Sequence, residues 1–140
     1  MNSLVMTGRL VFGLWFALNG LNHWFAFVPQ PMGVQHVSTE LIVALLDSGL
    51  FSLVKGIEVI VGVLILTNRF TPLALIAALP ISIVIAYWNI ILEHAPGNYI
   101  AGALTLGINA LLMLAYIEYY LPMLRFRSPL GAAASTRSAL

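Results

Sequence analysis

Lys55-Gly56-Ile57-Glu58 places an ammonium and a carboxylate three residues apart inside an otherwise apolar run, Leu53 to Gly62. In hydrocarbon a central charge costs at least about 2.5 to 3.5 kcal/mol on insertion scales, so each needs a partner. Burial and a neighbouring ammonium act in opposite senses on a carboxylate's hold on its proton, a combination suited to proton transfer near neutrality. Lys55 and Glu58 are therefore the candidate catalytic pair. The order Lys before Glu opposes the helix dipole. Each is thus expected to find its better partner on another helix, Glu58 at Asn19 or Asn109, and Lys55 at His23 or Asn89.

Other polar residues fall at similar heights. Counting 1.5 Å of rise per residue puts Glu58 about 12 Å below one boundary, level with Asn19 and Asn109, while Lys55, His23, Thr105 and Asn89 form a second level nearer that boundary. Asn19, His23, Asn89, Asn109 and Trp88 are the candidate ligand-binding residues. Asn22, Thr105 and Asn109 also fit a bland role as glue between helices, and a Lys-Glu pair can simply fix helix register. Arg9 is close enough to the other boundary to snorkel, and Trp15, Trp24 and Trp88 suit packing and interfaces. His36 and His94 stand in loops and His23 is alone on its helix, so no metal spacing exists.

The elements that must position these residues are apolar. Of 140 residues 61% are hydrophobic and 8% charged, far below the roughly 25% charged residues of soluble domains. The expected fold is an all-α integral membrane bundle, with spans at about 7–27, 50–66, 72–92 and 99–121 in a domain of residues 1–122, then a polar tail, 123–140. The first span exceeds a signal-peptide h-region and has no A-x-A cleavage pattern, which predicts a retained helix. Val28 to Gly33, with Pro29 and Pro31, turns the chain. Residues 38–48 predict a short amphipathic helix lying on the membrane surface, capped at Ser38 or Thr39 and stopped at Gly49. Thr71 is the expected N-cap of the third span, with Pro72 behind it, and Pro80 predicts a kink. Gly56, Gly62, Ala103 and Gly107 are the expected points of close helix approach.

A net charge of +1 without a basic block gives no footprint for nucleic acid, and the absence of cysteine excludes thiolate metal and dithiol redox chemistry. Arg9, Arg69, Arg125, Arg127 and Arg137 all fall on one side of a four-span arrangement, which predicts that both termini are cytoplasmic.

The runs RLVFGLWFALNGLNHW (residues 9–24), PQPM (29–32) and KGIEVIVGVLILTNRFTPLAL (55–75) resemble the DoxX-like family of small four-helix bacterial membrane proteins. The resemblance covers about residues 8–93, with Lys55, Glu58, Gly62 and the Asn68-Arg69-Phe70-x-Pro72 turn its most specific pieces. It implies a four-span bundle associated with quinone-linked sulfur oxidation or with membrane complexes for oxidative stress, and it transfers Arg9, His23, Lys55 and Glu58. Val84 and Asn89 depart from the Asn and His expected after Pro80. The expected function is a membrane subunit binding a quinone-like or other lipophilic ligand, or a partner redox protein. A small transporter or proton conduit, and a structural assembly subunit, are the competing readings. With no redox centre in the chain, electrons would come from a partner or a bound quinone, and a homo-oligomer is compatible with all three.

Overall fold

The computed structural model describes residues 2–124, and all the regular elements there are helical. Asn2 caps α1 (Ser3–Phe25) by accepting from the Leu4 N–H at 3.2 Å. This helix starts before the expected Thr7 and ends at Phe25, where Ala26 turns left-handed (φ 48°) ahead of the prolines. α2 (His36–Asp47) follows, then α3 (Leu50–Leu66), α4 (Thr71–Tyr87) with a π-turn at Trp88–Leu92, α5 (Pro96–Ala115), the short α6 (Ile117–Tyr120) and a 3-10 turn, Leu121–Leu124.

Ser3–Phe25, Thr71–Leu92 and Pro96–Ala115 are long and apolar enough to cross a membrane, and a fourth crossing arises if α2 and α3 count as one broken span. Those two meet at 84°. The bend follows from Gly49, whose φ of +75° suits a residue without Cβ. α1 packs on α3, α3 on α4, α4 on α5 and α5 back on α1. Phe12, Phe16, Val61, Ile65, Ala74, Leu75, Ala78 and Leu112 form one buried core in the half of the bundle where α3 ends and α4 begins. Outward faces stay apolar, with Ile60 62% and Leu111 66% exposed.

Several local expectations are corrected. Gln35 is the N-cap of α2 without a side-chain bond, because the Ser38 and Thr39 hydroxyls both turn back to the Gln35 carbonyl, at 2.8 and 3.0 Å. Phe70, left-handed at φ 52°, is the cap of α4; the Thr71 hydroxyl donates to Asn68 Oδ1 at 3.2 Å instead. α4 is α-helical on both sides of Pro80, which has no N–H to give the Ile76 carbonyl, and it passes into a π-turn at Trp88–Leu92. The expected fourth span breaks at Tyr116 (φ −104°, ψ 20°). The expected tail lies, from residue 125, outside the described residues.

Close approach is borne out at Gly62 and corrected at the other expected positions. A Cβ at Gly62 would stand 2.5 Å from the Ala17 nitrogen, one at Gly20 2.7 Å from the Lys55 carbonyl, and one at Gly13 3.1 Å from the Gly62 carbonyl. Glycines on both helices thus let α1 and α3 touch backbone to backbone. Gly107 faces open space and Gly56 meets Trp24 only at 4.0 Å; Gly102, not Ala103 or Gly107, brings α5 against Ala86 and Asn89.

Glu93, which sequence reasoning left in a turn, holds α2 in place. The carboxylate is buried and accepts from the Val34 N–H at 3.0 and 3.1 Å and from the Ser38 hydroxyl. The chain reaches it through Gly33 (φ +82°), where a Cβ would sit 2.6 Å from Ser38 Oγ. The Ser38 hydroxyl, against an opposing burial cost and with help from the Val34 and Gln35 N–H groups, holds the Glu93 carboxyl below its ordinary 4.5. A depressed folded-state pKa contributes stability that is present above the unfolded value and lost as pH falls through the folded one. Amide exchange in α2 is therefore expected to stay slow from neutral pH to about 5 and to quicken, relative to α1, at lower pH. Glu93→Gln should exchange faster in α2 at neutral pH and lose that dependence; equal α2 protection in both proteins would refute the latch.

Candidate functional site

Lys55 and Glu58 lie one turn apart on the same side of α3. Lys55 Nζ stands 2.8 Å from Glu58 Oε2, with only 12% and 3% of the two side chains exposed. The intrahelical contact dismissed as the weaker option is the one that forms. None of the four expected cross-helix partners reaches either charge: the Asn19 amide donates to its own Trp15 carbonyl at 2.9 Å, and that of Asn89 to Ile85 at 2.8 Å. Both choose a carbonyl one turn back, always within reach of an Asn in a helix.

His23 comes near without touching the pair. Its Nε2 lies 2.8 Å from Ser52 Oγ, and its ring meets Phe51 edge-on at 5.3 Å and Trp24 at 5.0 Å. Phe51 then presents its face to Lys55 Nζ at 5.2 Å, a cation–π contact that supplies electron density without a second anion. His23, Phe51, Ser52, Lys55 and Glu58 thus form one cluster on the α1–α3 seam. Phe51 and Ser52 are the residues that sequence reasoning missed. Their signal was available, since Phe51 precedes Lys55 by four residues on the same helix face.

Asn109 belongs to a different seam. In the amide orientation that satisfies all its neighbours it donates to the Leu75 carbonyl at 3.3 Å and accepts from the Leu79 N–H at 3.2 Å and from Ser82 Oγ at 2.9 Å. These groups flank Pro80, so α5 provides polar contacts where a proline weakens the ladder of α4. Thr105 donates to its own Ala101 carbonyl at 2.8 Å, while Asn22 bonds Val28 twice, at 2.8 and 3.0 Å, and closes the loop after α1. Trp88 stands in the π-turn with its buried Nε1 unpartnered. Arg9, expected to snorkel, is instead buried, with Nη1 donating to the Ile65 carbonyl at 3.2 Å.

No family model matches the chain, and neither does any curated protein or solved structure. The DoxX-like resemblance gains no support from these comparisons, and what the site can do rests on its own geometry. Among the described residues no group of three or more His, Asp and Glu side chains could hold a metal ion. Lys55 engages one Glu58 oxygen, and among the described residues the other takes no hydrogen bond. The cluster therefore offers an ammonium with spare protons, a carboxylate oxygen with spare lone pairs and an imidazole, all against apolar walls.

Proposed function

We propose that the chain is a four-span inner-membrane bundle that binds a lipophilic ligand with a carbonyl or hydroxyl head, of the quinone class, at the His23–Lys55–Glu58 cluster. The observation that carries this reading is the Lys55–Glu58 pair itself, 2.8 Å apart and nearly buried on an apolar helix. A charge pair costs more to bury than an apolar pair of the same shape, so its retention in lipid is accounted for by chemistry that apolar residues lack. Lys55 would donate to a head-group carbonyl, Glu58 would accept from a hydroxyl or exchange a proton, and His23 would complete the edge. A redox partner or a further subunit would supply electrons, as the DoxX-like resemblance suggests.

The conduit reading is the weaker one. A conduit needs polar groups through the whole thickness, whereas Phe12, Phe16, Val61, Ile65 and Leu75 fill the half where α3 ends and α4 begins. Decylubiquinone titrated into the purified protein is expected to quench tryptophan fluorescence, because Trp24 adjoins the cluster through His23. Quenching should saturate in the native protein and vanish in Lys55→Met/Glu58→Gln. Saturable quenching that survives in a folded double variant would move the site elsewhere; proton or solute flux in liposomes without quinone binding would favour the conduit.

The orientation has its own test. The basic residues predict cytoplasmic termini, with 28–48 and 93–99 outside. Single cysteines at Gln35 and Asn98 should react with an impermeant thiol reagent in intact cells, and one at Thr67 should not. The reverse pattern would invert the topology.

A further inference from the structure

Arg9 lies at the opposite end of α1 from His23, about 20 Å away by helical rise, and takes no part in that cluster. It is 7% exposed and carries a guanidinium. Its one hydrogen bond among the described residues is from Nη1 to the Ile65 carbonyl at 3.2 Å, in the last turn of α3, and its Nε is buried without a partner there. The ion pairs among the described residues are Lys55 with Glu58 and His36 with Glu40, so no carboxylate among them neutralises Arg9.

The chain has little else to offer it. Of its five acidic residues, Glu58 is held by Lys55, Glu40 by His36, and Glu93 by Val34 and Ser38. Asp47 belongs to α2, at the far end, and Glu118 on α6 is exposed and makes no ion pair with Arg9. Residues 125–140 contain arginine but neither Asp nor Glu. A helix C-terminus contributes only a partial negative charge, which leaves most of a buried cation uncompensated.

The free edge of the guanidinium identifies what is missing. With Nη1 committed to Ile65, the unengaged donors are Nε and Nη2, whose N–H bonds run parallel along one side of the plane. That edge matches two oxygens of a single oxyanion. We propose that Arg9 is the anchor of a phosphate-class oxyanion site at the end of the α1–α3 seam where α1 begins and α3 ends. Two sources supply that chemistry: the headgroup of an anionic phospholipid, and free phosphate. The exposed apolar side chains of Leu4, Met6 and Leu10 beside it suit acyl chains and make the lipid the expected source.

The test uses the full chain, stripped of lipid in detergent, with phosphatidylglycerol, phosphatidylcholine and inorganic phosphate as probes. Native mass spectrometry gives the adducts and a thermal-unfolding series gives apparent affinities. The native protein is expected to retain phosphatidylglycerol and to rise in Tm as it is added, with phosphatidylcholine weaker. Arg9→Lys keeps the charge but not the fork, and should weaken that binding about tenfold or more; Arg9→Met should abolish it. A Tm rise with inorganic phosphate that equals the lipid's, and that Arg9→Lys reduces alike, supports the same site with a soluble source. Should Arg9→Met fail to fold, the Arg9→Lys comparison still decides. The proposal is overturned if the native protein responds to neither probe, or if Arg9→Lys binds as tightly as the native protein.

Discussion

Glu58→Gln alone, or Lys55→Met alone, is expected to destabilise the folded protein by about 3 to 5 kcal/mol, because each leaves the other charge buried without its counter-ion. The pair is dry enough for that range, with 12% and 3% of the side chains exposed. Lys55 keeps the Phe51 face after Glu58 is neutralised, and Glu58 keeps nothing comparable after Lys55 is removed. Lys55→Met should therefore be the worse single change. The double variant removes both charges while keeping their volume, and should be destabilised by less than the two single changes summed. Thermal unfolding of the four proteins in one detergent measures this coupling. Additive effects would mean that the contact at 2.8 Å contributes nothing. The folded double variant then separates stability from function, since on the proposed reading it keeps its structure and loses quinone binding.

Gly62→Ala should be nearly as damaging although it adds one methyl group. Its Cβ would meet the Ala17 nitrogen at 2.5 Å, the Ala17 Cα at 2.8 Å and the Gly13 carbonyl at 2.8 Å, all backbone atoms that cannot rotate away. The helices must separate along the seam, with an overpacking cost of about 1 to 3 kcal/mol. The movement would also widen the gap between His23 and Ser52, now 2.8 Å, and so weaken the cluster one to three turns away. Gly107→Ala is the control: nothing lies within 4 Å of its Cβ, so the change should be neutral or stabilise by up to about 1 kcal/mol. Equal Tm values for the two variants would show that α1 and α3 do not meet through Gly62.

The sequence by itself determined the helical, apolar character of the chain and most helix positions, α3 to the residue. Runs of some twenty apolar residues broken by Pro, Gly and polar turns leave few alternatives. It also singled out Lys55 and Glu58, because composition alone makes a charge in such a run conspicuous. Helix ends were less legible. Asn2, Phe70 and Tyr116 set them through single backbone angles and single caps, which carry no periodic signal. Only the tertiary structure decided how the polar residues group, because rise along a helix gives height but not rotation. Asn19 and Glu58 were placed at one level, yet Asn19 turns back to Trp15 while Glu58 faces Lys55. The same limit hid the Glu93 latch on α2 and the burial of Arg9, which join residues 59 and 56 positions apart. Such pairings are set by how α1, α3 and α4 pack, and that packing turns on which glycines face a neighbour, as Gly20 and Gly62 do and Gly107 does not.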